Sequence, residues 1–421
     1  MKNSFILRKI NNLNLLIPEH KCPENLFCLN STGLYVWKKL KKGLHPKEIA
    51  DLMTNKFKIP LSKAQKDIQK FIFLFKNKKY KKITNYQILG KNEKARIPIH
   101  GSIDLTNKCN LKCIHCYLKN SHKNQNNSWS NLRRYFREII NEGCLFLQLT
   151  GGEILTRPDF KKIYLYVRKN GLIPTIMTNA TLINDDLIQT FKKYPPYCIK
   201  ISLYGSNAFY HDKITGVKGS FNKSLSNIIK LKKEGIKIWI NAVILKENFA
   251  DLSDIVKLIQ KIETPANLYP FLIPSLNGGQ EPLKHQLNVR QCLKVLKYSK
   301  EILPNHVQQK KNSQSSSKTI FPCNAGKNSF HIDNQGKLFI CKIERSTGIS
   351  LSKMTFKKAW KKLEPIRLQK LYLPSFYPSC KLKSDCQICP PLLKLYKSSG
   401  KIPIKTKISL LSSSKSDTGK G

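Results

Sequence analysis

Residues 104–120 read DLTNKCNLKCIHCYLKN, and the spacing of the three thiols in that stretch, Cys109, Cys113 and Cys116, decides how the rest of the chain is read. Thiolates are the common ligands of iron–sulfur clusters, and a C-x3-C-x2-C loop is short enough to wrap three of them around one cluster. Three ligands leave a fourth metal position open, and an open position is where a small molecule binds and reacts, whereas structural sites are closed. Zinc, with His115 as a fourth ligand, is the competing occupant at this point. The 13 cysteines lie in a chain whose first 17 residues are broken by Lys, Arg and Asn and read as no secretory signal. That combination argues for ligation or catalysis ahead of disulfides. Cys22, Cys28, Cys144, Cys198 and Cys292 stand outside any ligand-like spacing and read as small buried apolar side chains.

Around this loop, a strand-like run at 103–106 is followed by further β-rich runs at 145–150, 173–178, 199–203, 238–244 and 268–273. Amphipathic stretches at 132–140, 160–167, 221–231 and 252–262 lie between them. Strand then helix, repeated every 30 or so residues, predicts a parallel sheet with covering helices. Six such units are two short of a full eight-unit barrel, so residues 96–305 are expected to form an α/β core, a partial (β/α)6 barrel. Chemistry in such folds gathers at the C-terminal strand ends. The cysteine loop follows the first of them.

Residues 100–275 resemble the radical S-adenosylmethionine (SAM) superfamily, through the three-cysteine motif and the LTGGE sequence at Gly151, Gly152 and Glu153. The resemblance implies that Cys109, Cys113 and Cys116 ligate a catalytic [4Fe-4S] cluster whose open iron is chelated by SAM. Reduction would then cleave SAM to methionine and a 5′-deoxyadenosyl radical that abstracts a substrate hydrogen. It also implies SAM contacts: Tyr117 beside the adenine, Gly151 and Gly152 against the methionyl group, and Glu153 on its ammonium. Thr178, Asn179, Ser202 and Asn241 are the short polar groups suited to the carboxylate or ribose.

Upstream, strand-like runs at 5–7 and 13–17 precede three short helices. Asn30, Ser31 and Thr32 offer N-caps for the first, Pro46 suits the first turn of the second, and Ser62 opens the third. A hairpin followed by three helices is the order of a winged helix, for which DNA binding is one reading. That reading would leave the cysteines without a purpose. The stretch LNSTGLYVWKKLKKGLHPKEIADLM, residues 29–53, resembles the pyrroloquinoline-quinone biosynthesis protein D (PqqD) family, over residues 5–82 in all. This implies that residues 1–90 form a domain recognising the leader of a ribosomally made precursor peptide.

Downstream, the polar residues 306–318, with SQSSSK, read as a linker. Cys323 and Cys341 bracket HIDNQGKLFI, and Cys380, Cys386 and Cys389 follow as C-x5-C-x2-C. Residues 319–395 resemble the SPASM extension of radical SAM enzymes, or its shorter twitch relative, which binds auxiliary [4Fe-4S] clusters. Position 377 is Tyr where the full pattern has cysteine, and five thiols cannot supply eight ligands. One auxiliary cluster is therefore expected, with a zinc knuckle as the competitor. Residues 396–421 read as a flexible tail.

The net charge of +49 comes from lysines spread along the whole chain, which reads as compositional bias more than a nucleic-acid footprint. Nucleic acid is not an expected partner. Apolar runs fall short of the ~18 residues that cross a bilayer, so no membrane association and a cytoplasmic location are expected. Together the modules predict an enzyme that matures ribosomal precursor peptides, forming a thioether carbon–sulfur or a carbon–carbon bond, with a ferredoxin or flavodoxin as electron donor. Two alternatives compete: a radical maturase of a folded protein, similar to anaerobic sulfatase maturases, and a non-catalytic iron–sulfur regulator binding peptide or DNA. Against the first, Lys342 stands where those maturases carry an acid after the second SPASM cysteine.

Overall fold

The computed structural model describes residues 5–22, 26–76, 97–118, 126–302, 325–367 and 390–401. Its centre is a nine-stranded sheet in which β4 (His100–Thr106), β5 (Phe146–Gly151), β6 (Ile173–Thr178), β7 (Cys198–Ser202), β8 (Ile238–Val243) and β9 (Ala266–Tyr269) run parallel in sequence order. These are the six runs expected from the sequence, with ends displaced by a few residues.

Side chains alternate across a strand, so a run such as Ile199, Ile201 or Ile238, Ile240 shows one apolar face. That face is buried against α4 (Trp129–Asn141), α5 (Phe160–Lys169), α6 (Asp185–Lys193), α8 (Ser220–Lys233) and α9 (Leu252–Ile262), following α7 (Ala208–Thr215) in the case of α8. Leu132, Phe136, Ile163, Phe191, Leu231 and Ile255 supply the helical stripes. The opposite face carries Ser102, Gln148, Thr175, Lys200, Trp239 and Asn267, all half-buried. Helices thus cover one side of these strands and leave a polar inner side accessible, as the wall of an open barrel does.

Two features of this core were not foreseen. Helices α6 and α7 have no counterpart among the predicted stretches. More consequentially, the segment read as a separate C-terminal domain continues the same sheet. After α10 (Val289–Ile302), strand β10 (Ser329–Ile332) pairs parallel with β4, from Ser329 opposite His100 to Ile332 opposite Ile103. Strands β11 (Lys337–Phe339) and β12 (Ile349–Ser350) extend it antiparallel. The reason is burial: Phe330, Ile332 and Leu338, with Phe356 and Trp360 on α11 (Phe356–Lys362), join the core of the parallel strands. They also cover the open edge of β4.

At the N-terminus, β1 (Phe5–Ile10), β2 (Leu13–Pro18) and β3 (Phe27–Leu29) form an antiparallel sheet, one strand more than the expected hairpin. Asn30 caps α1 (Ser31–Lys41), its side chain accepting from Gly33 N at 2.7 Å. His45 and Glu48 cap α2 (Pro46–Phe57), and α3 (Leu61–Lys76) completes the trio. Val36, Ile49, Met53, Ala64 and Ile68 form a core private to these helices. The sheet, in contrast, shares a core with the N-terminal ends of the parallel strands: Ile10, Leu15, Ile17 and Leu26 pack with Ile99, Leu145 and Ile173. Arg8 donates to the carbonyls of Gly171, Ile140 and Cys144, and Arg168 to those of Pro18 and Glu19. The three helices thus keep a core of their own, whereas the sheet shares one with the parallel strands.

Among the isolated cysteines, Cys144, Cys198 and Cys292 are buried as expected, Cys22 is half-buried, and Cys28 is exposed on β3 because its neighbours Phe27 and Leu29 take the inward side. The expected linker at 306–318 lies outside the described residues. The expected start of the tail at 396 falls within α12 (Pro390–Ser398), where Tyr396 is buried and its hydroxyl donates to Leu272 O. No helix among the described residues is long and apolar enough to cross a membrane.

Candidate active site

The cysteine loop leaves β4 at Thr106, and β5 ends beside it at Gly151. Gly152 N donates to Thr106 O at 2.9 Å and Glu153 N to Lys108 O at 2.8 Å, which ties the turn after β5 to the root of the loop. A side chain at Gly151 would place its Cβ 2.1 Å from Thr106 O, and at Gly152 2.3 Å from Lys108 O. Gly151 also has φ +142°, a conformation L residues rarely adopt. In this structure the two glycines let two strand ends touch. Replacing Gly151 by Ala should therefore displace the loop: we expect at least tenfold slower SAM cleavage and less cluster per chain after anaerobic reconstitution, read by iron content.

The other side of the loop is held by α7, with Lys112 N donating to Thr215 O at 2.8 Å and Ile114 N to Ile214 O at 3.0 Å. Cys116 N donates to Cys113 O at 3.2 Å. Burial pushes the Cys113 thiol up to about 12, and the neighbouring Cys116 and Cys109 sulfurs add to the shift. The Tyr204 hydroxyl is likewise raised by burial, then by the same three sulfurs. The three thiols thus share one small volume. Yet no three His, Cys, Asp or Glu side chains among the described residues converge closely enough for a single metal ion. Three thiols from one short loop within electrostatic reach of one another match the thiolate ligation of an iron–sulfur cluster. The His115 ring packs edge-on to Tyr204 at 4.8 Å.

Glu153, Thr178 and Asn179 come together. Glu153 is buried, and its carboxylate accepts from Thr178 Oγ1 at 2.8 Å, Asn179 N at 2.7 Å and Leu155 N at 3.0 Å. Burial raises its pKa and these three donors oppose the rise. Asn179 Nδ2 continues to Asn110 Oδ1 at 2.9 Å, so the end of β6 is bonded to the cysteine loop. Ser202 and Asn241 are register partners on β7 and β8, and Asn267 on β9 extends the row by donating to Asn241 Oδ1 at 3.1 Å. Tyr117 follows Cys116, its carbonyl accepting from Leu276 N at 3.0 Å. The sequence-nominated residues of the core therefore lie at C-terminal strand ends or in the loop, save Asn241, which sits within β8 beside Ser202.

A polar hub beneath them was missed. Asp104 on β4 lies 3.2 Å from Lys342 Nζ, 3.2 Å from His331 Nε2 and 3.6 Å from Arg345. Burial alone would raise the Asp104 carboxyl, but Lys342, His331 and Arg345 outweigh it and hold it far below the carboxylate range. Ser102 Oγ completes the chain at 2.8 Å from His331 Nδ1. Lys342 also sits 5.4 Å from the Tyr117 ring centroid and 3.4 Å from Thr150 Oγ1. Strand alternation from Ile103 and Leu105 would have placed Asp104 on the inner face; nothing in the sequence signalled its partners 227 or more residues away.

Of the second cysteine group, Cys341 is half-buried, accepts from Glu344 N at 3.2 Å, and with Lys342, Ser102, Gln148 and Thr175 lines a cavity of about 260 Å³ on the inner face. Cys323, Cys380, Cys386 and Cys389 lie outside the described residues.

Residues 103–259 match the radical SAM superfamily and residues 15–79 match coenzyme PQQ synthesis protein D (PqqD). The antilisterial bacteriocin subtilosin biosynthesis protein AlbA of Bacillus subtilis is 28% identical over 51% of this chain and 48% of its own length. An AdoMet-dependent heme synthase of Methanosarcina barkeri is 26% identical over 68% of this chain and 86% of its own length. The PqqA peptide cyclase of Ruegeria pomeroyi is 28% identical over 38% of this chain and 44% of its own. The chain thus spans about half the length of most of the curated relatives it matches. In fold, SuiB of Streptococcus suis bound to S-adenosylmethionine superposes with a TM-score of 0.59 over 96% of this chain and 98% of that one, at 16% identity. The chain accordingly carries a radical SAM domain over residues 103–259, preceded by a PqqD domain over residues 15–79.

Proposed function

We propose that this protein is a radical SAM maturase of a ribosomally made precursor peptide. The observation that carries the reading is the joining of the cysteine loop to the GGE turn at adjacent strand ends, in a chain that also carries a PqqD domain. Cys109, Cys113 and Cys116 would hold the [4Fe-4S] cluster, which supplies the electron for cleaving SAM to methionine and a 5′-deoxyadenosyl radical. The chain's own residues orient and enclose. Glu153, buried and bonded by Thr178 and Asn179, is the acceptor for the SAM ammonium, with Ser202 and Asn241 for its carboxylate or ribose and Tyr117 for its adenine. The inner face of a partial barrel, half-buried and polar, receives the substrate segment whose hydrogen is taken, and the product carries a new thioether or carbon–carbon bond. A ferredoxin or flavodoxin is the electron donor.

Residues 1–90, read as winged-helix-like, bind the leader, which adds as a strand at the edge of the β1–β3 sheet. The PqqD match over residues 15–79 supports the N-terminal assignment, and the relatives named for bacteriocin biosynthesis and as a peptide cyclase, AlbA and the PqqA peptide cyclase, support a peptide substrate. Residues 319–395, read as SPASM or twitch, hold one auxiliary [4Fe-4S] cluster whose ligands, four at most, come from Cys323, Cys341, Cys380, Cys386 and Cys389. Cys341→Ala should then drop iron from about eight per chain towards about four, the content of one cubane. Unchanged iron in that variant removes the auxiliary cluster.

The likeness to a heme synthase over 86% of that protein favours one second reading, action on a tetrapyrrole. One experiment separates the two. Reconstituted anaerobically with SAM and reductant, the protein should release 5′-deoxyadenosine and change the mass of a precursor peptide encoded beside it. A mass change on an iron porphyrin and none on the peptide would transfer the assignment.

A further inference from the structure

The inner face of the sheet holds a cation that no anion among the described residues answers. Lys200 on β7 stands two residues before Ser202 and lies in register with Met177 of β6 on one side and Trp239 of β8 on the other. Ile199 and Ile201 enter the helix-side core, so Lys200 points to the inner face, as Trp239 does between Ile238 and Ile240. Both are half-buried. Among the described residues Lys200 has no ion-pair or hydrogen-bond partner, and the buried Nε1 of Trp239 has no acceptor. The carboxylates nearby are committed elsewhere: Asp104 to Lys342, His331 and Arg345, and Glu153 to Thr178, Asn179 and Leu155.

A half-buried lysine without a counter-ion is available to an anion and a buried indole N–H without an acceptor is unfavourable, and a ligand answers both at once if it brings paired acceptor oxygens. Neighbouring strands are about 4.8 Å apart, so two side chains in register on one face can grip the two oxygens of a single carboxylate. We propose that Lys200 and Trp239 form a carboxylate-binding subsite for the substrate peptide, deeper on the inner face than the Ser202, Asn241 and Asn267 row. The carboxylate is that of an acidic side chain or of the peptide's C-terminus, fixing which neighbouring residue meets the radical. This rests on the peptide-maturase reading and names the chemistry that its substrate must carry.

The test uses reconstituted holoenzyme labelled with 5-fluorotryptophan, whose four tryptophans give four ¹⁹F lines, with the Trp239 line assigned by Trp239→Phe. Two capped peptides serve as probes, acetyl-glutamate N-methylamide for a side-chain carboxylate and acetyl-glycylglycine for a terminal one; acetyl-glutamine N-methylamide is the neutral control. The Trp239 line should shift with at least one anionic probe and stay still with the neutral one. Lys200→Met should weaken that binding on the order of tenfold, and Lys200→Arg should largely keep it, which separates charge from folding. A shift with the glutamate probe alone assigns the side chain, and with glycylglycine alone the terminus. An unmoved line, an equal response to the neutral probe, or a shift produced only by SAM would overturn the subsite. The wild-type enzyme's 5′-deoxyadenosine yield tests the underlying radical reading independently.

Discussion

Replacing Cys109, Cys113 and Cys116 together with Ala is expected to abolish SAM cleavage, a loss of at least a thousandfold and down to the level of reductant alone, while leaving precursor binding intact. The two halves of that expectation have different structural grounds. The loop's backbone is fixed by bonds that do not involve the thiols, from Lys112 N to Thr215 O, Ile114 N to Ile214 O and Glu153 N to Lys108 O, so the fold should survive loss of the sulfurs. The helices α1 to α3 keep their own core of Val36, Ile49, Met53 and Ile68, far in the sequence from the loop. Iron content, chromatography for 5′-deoxyadenosine and anisotropy with a labelled leader read the three consequences. Undiminished 5′-deoxyadenosine in the triple variant would sink the radical assignment.

The second large effect should come from Asp104→Ala. Removing this one buried carboxylate leaves Lys342, Arg345 and His331 facing each other without the charge that holds them. Breaking a buried pair by deleting one partner typically destabilises by about 3–5 kcal/mol, since the remaining charge is stranded. The hub joins β4 to the C-terminal strands, so the loss should appear as an earlier unfolding step in urea. The pH dependence has a definite sign. Because Asp104 is held far below its ordinary value of about 3.9, its contribution to stability is complete above that value and falls progressively below it, as the unfolded chain takes up a proton that the folded form still refuses. Wild type should therefore lose more stability than Asp104→Ala on going from neutral pH towards pH 3. Parallel loss in both proteins would show that the hub carries little of the stability.

How far the sequence reading reached follows from the range of the interactions. The parallel strands were legible because each is a local apolar run, and the cysteine loop, Gly151 to Glu153 and Asn179 because their chemistry lies in short motifs after such runs. Asn30 and Pro46 marked helix starts through local capping preferences. What stayed hidden is non-local. Pairing of β10 with β4 brings together residues more than 220 apart, and neither strand's sequence names the other. The Asp104 hub depends on that pairing, and so does the absence of a boundary between the core sheet and the C-terminal strands. The division drawn at residue 90 failed for the β1–β3 sheet for the same reason, since the apolar side of a two-residue-period strand does not say which surface it covers.

That shared core at the base of the parallel strands sets a length. Leu145 and Ile173, which meet the β1–β3 sheet, precede β5 and open β6, whereas the cysteines and Glu153 lie beyond the opposite strand ends. Six or seven strand residues at about 3.3 Å each separate the two levels by roughly 20 Å. An extended peptide advances at most about 3.3–3.6 Å per residue, so a precursor gripped at the lower level would need some six residues of slack before its first reactive position, and more if it travels around the helices. The enzyme would act as a ruler: residues too near the leader would pass unmodified because the chain cannot reach, whatever their chemistry.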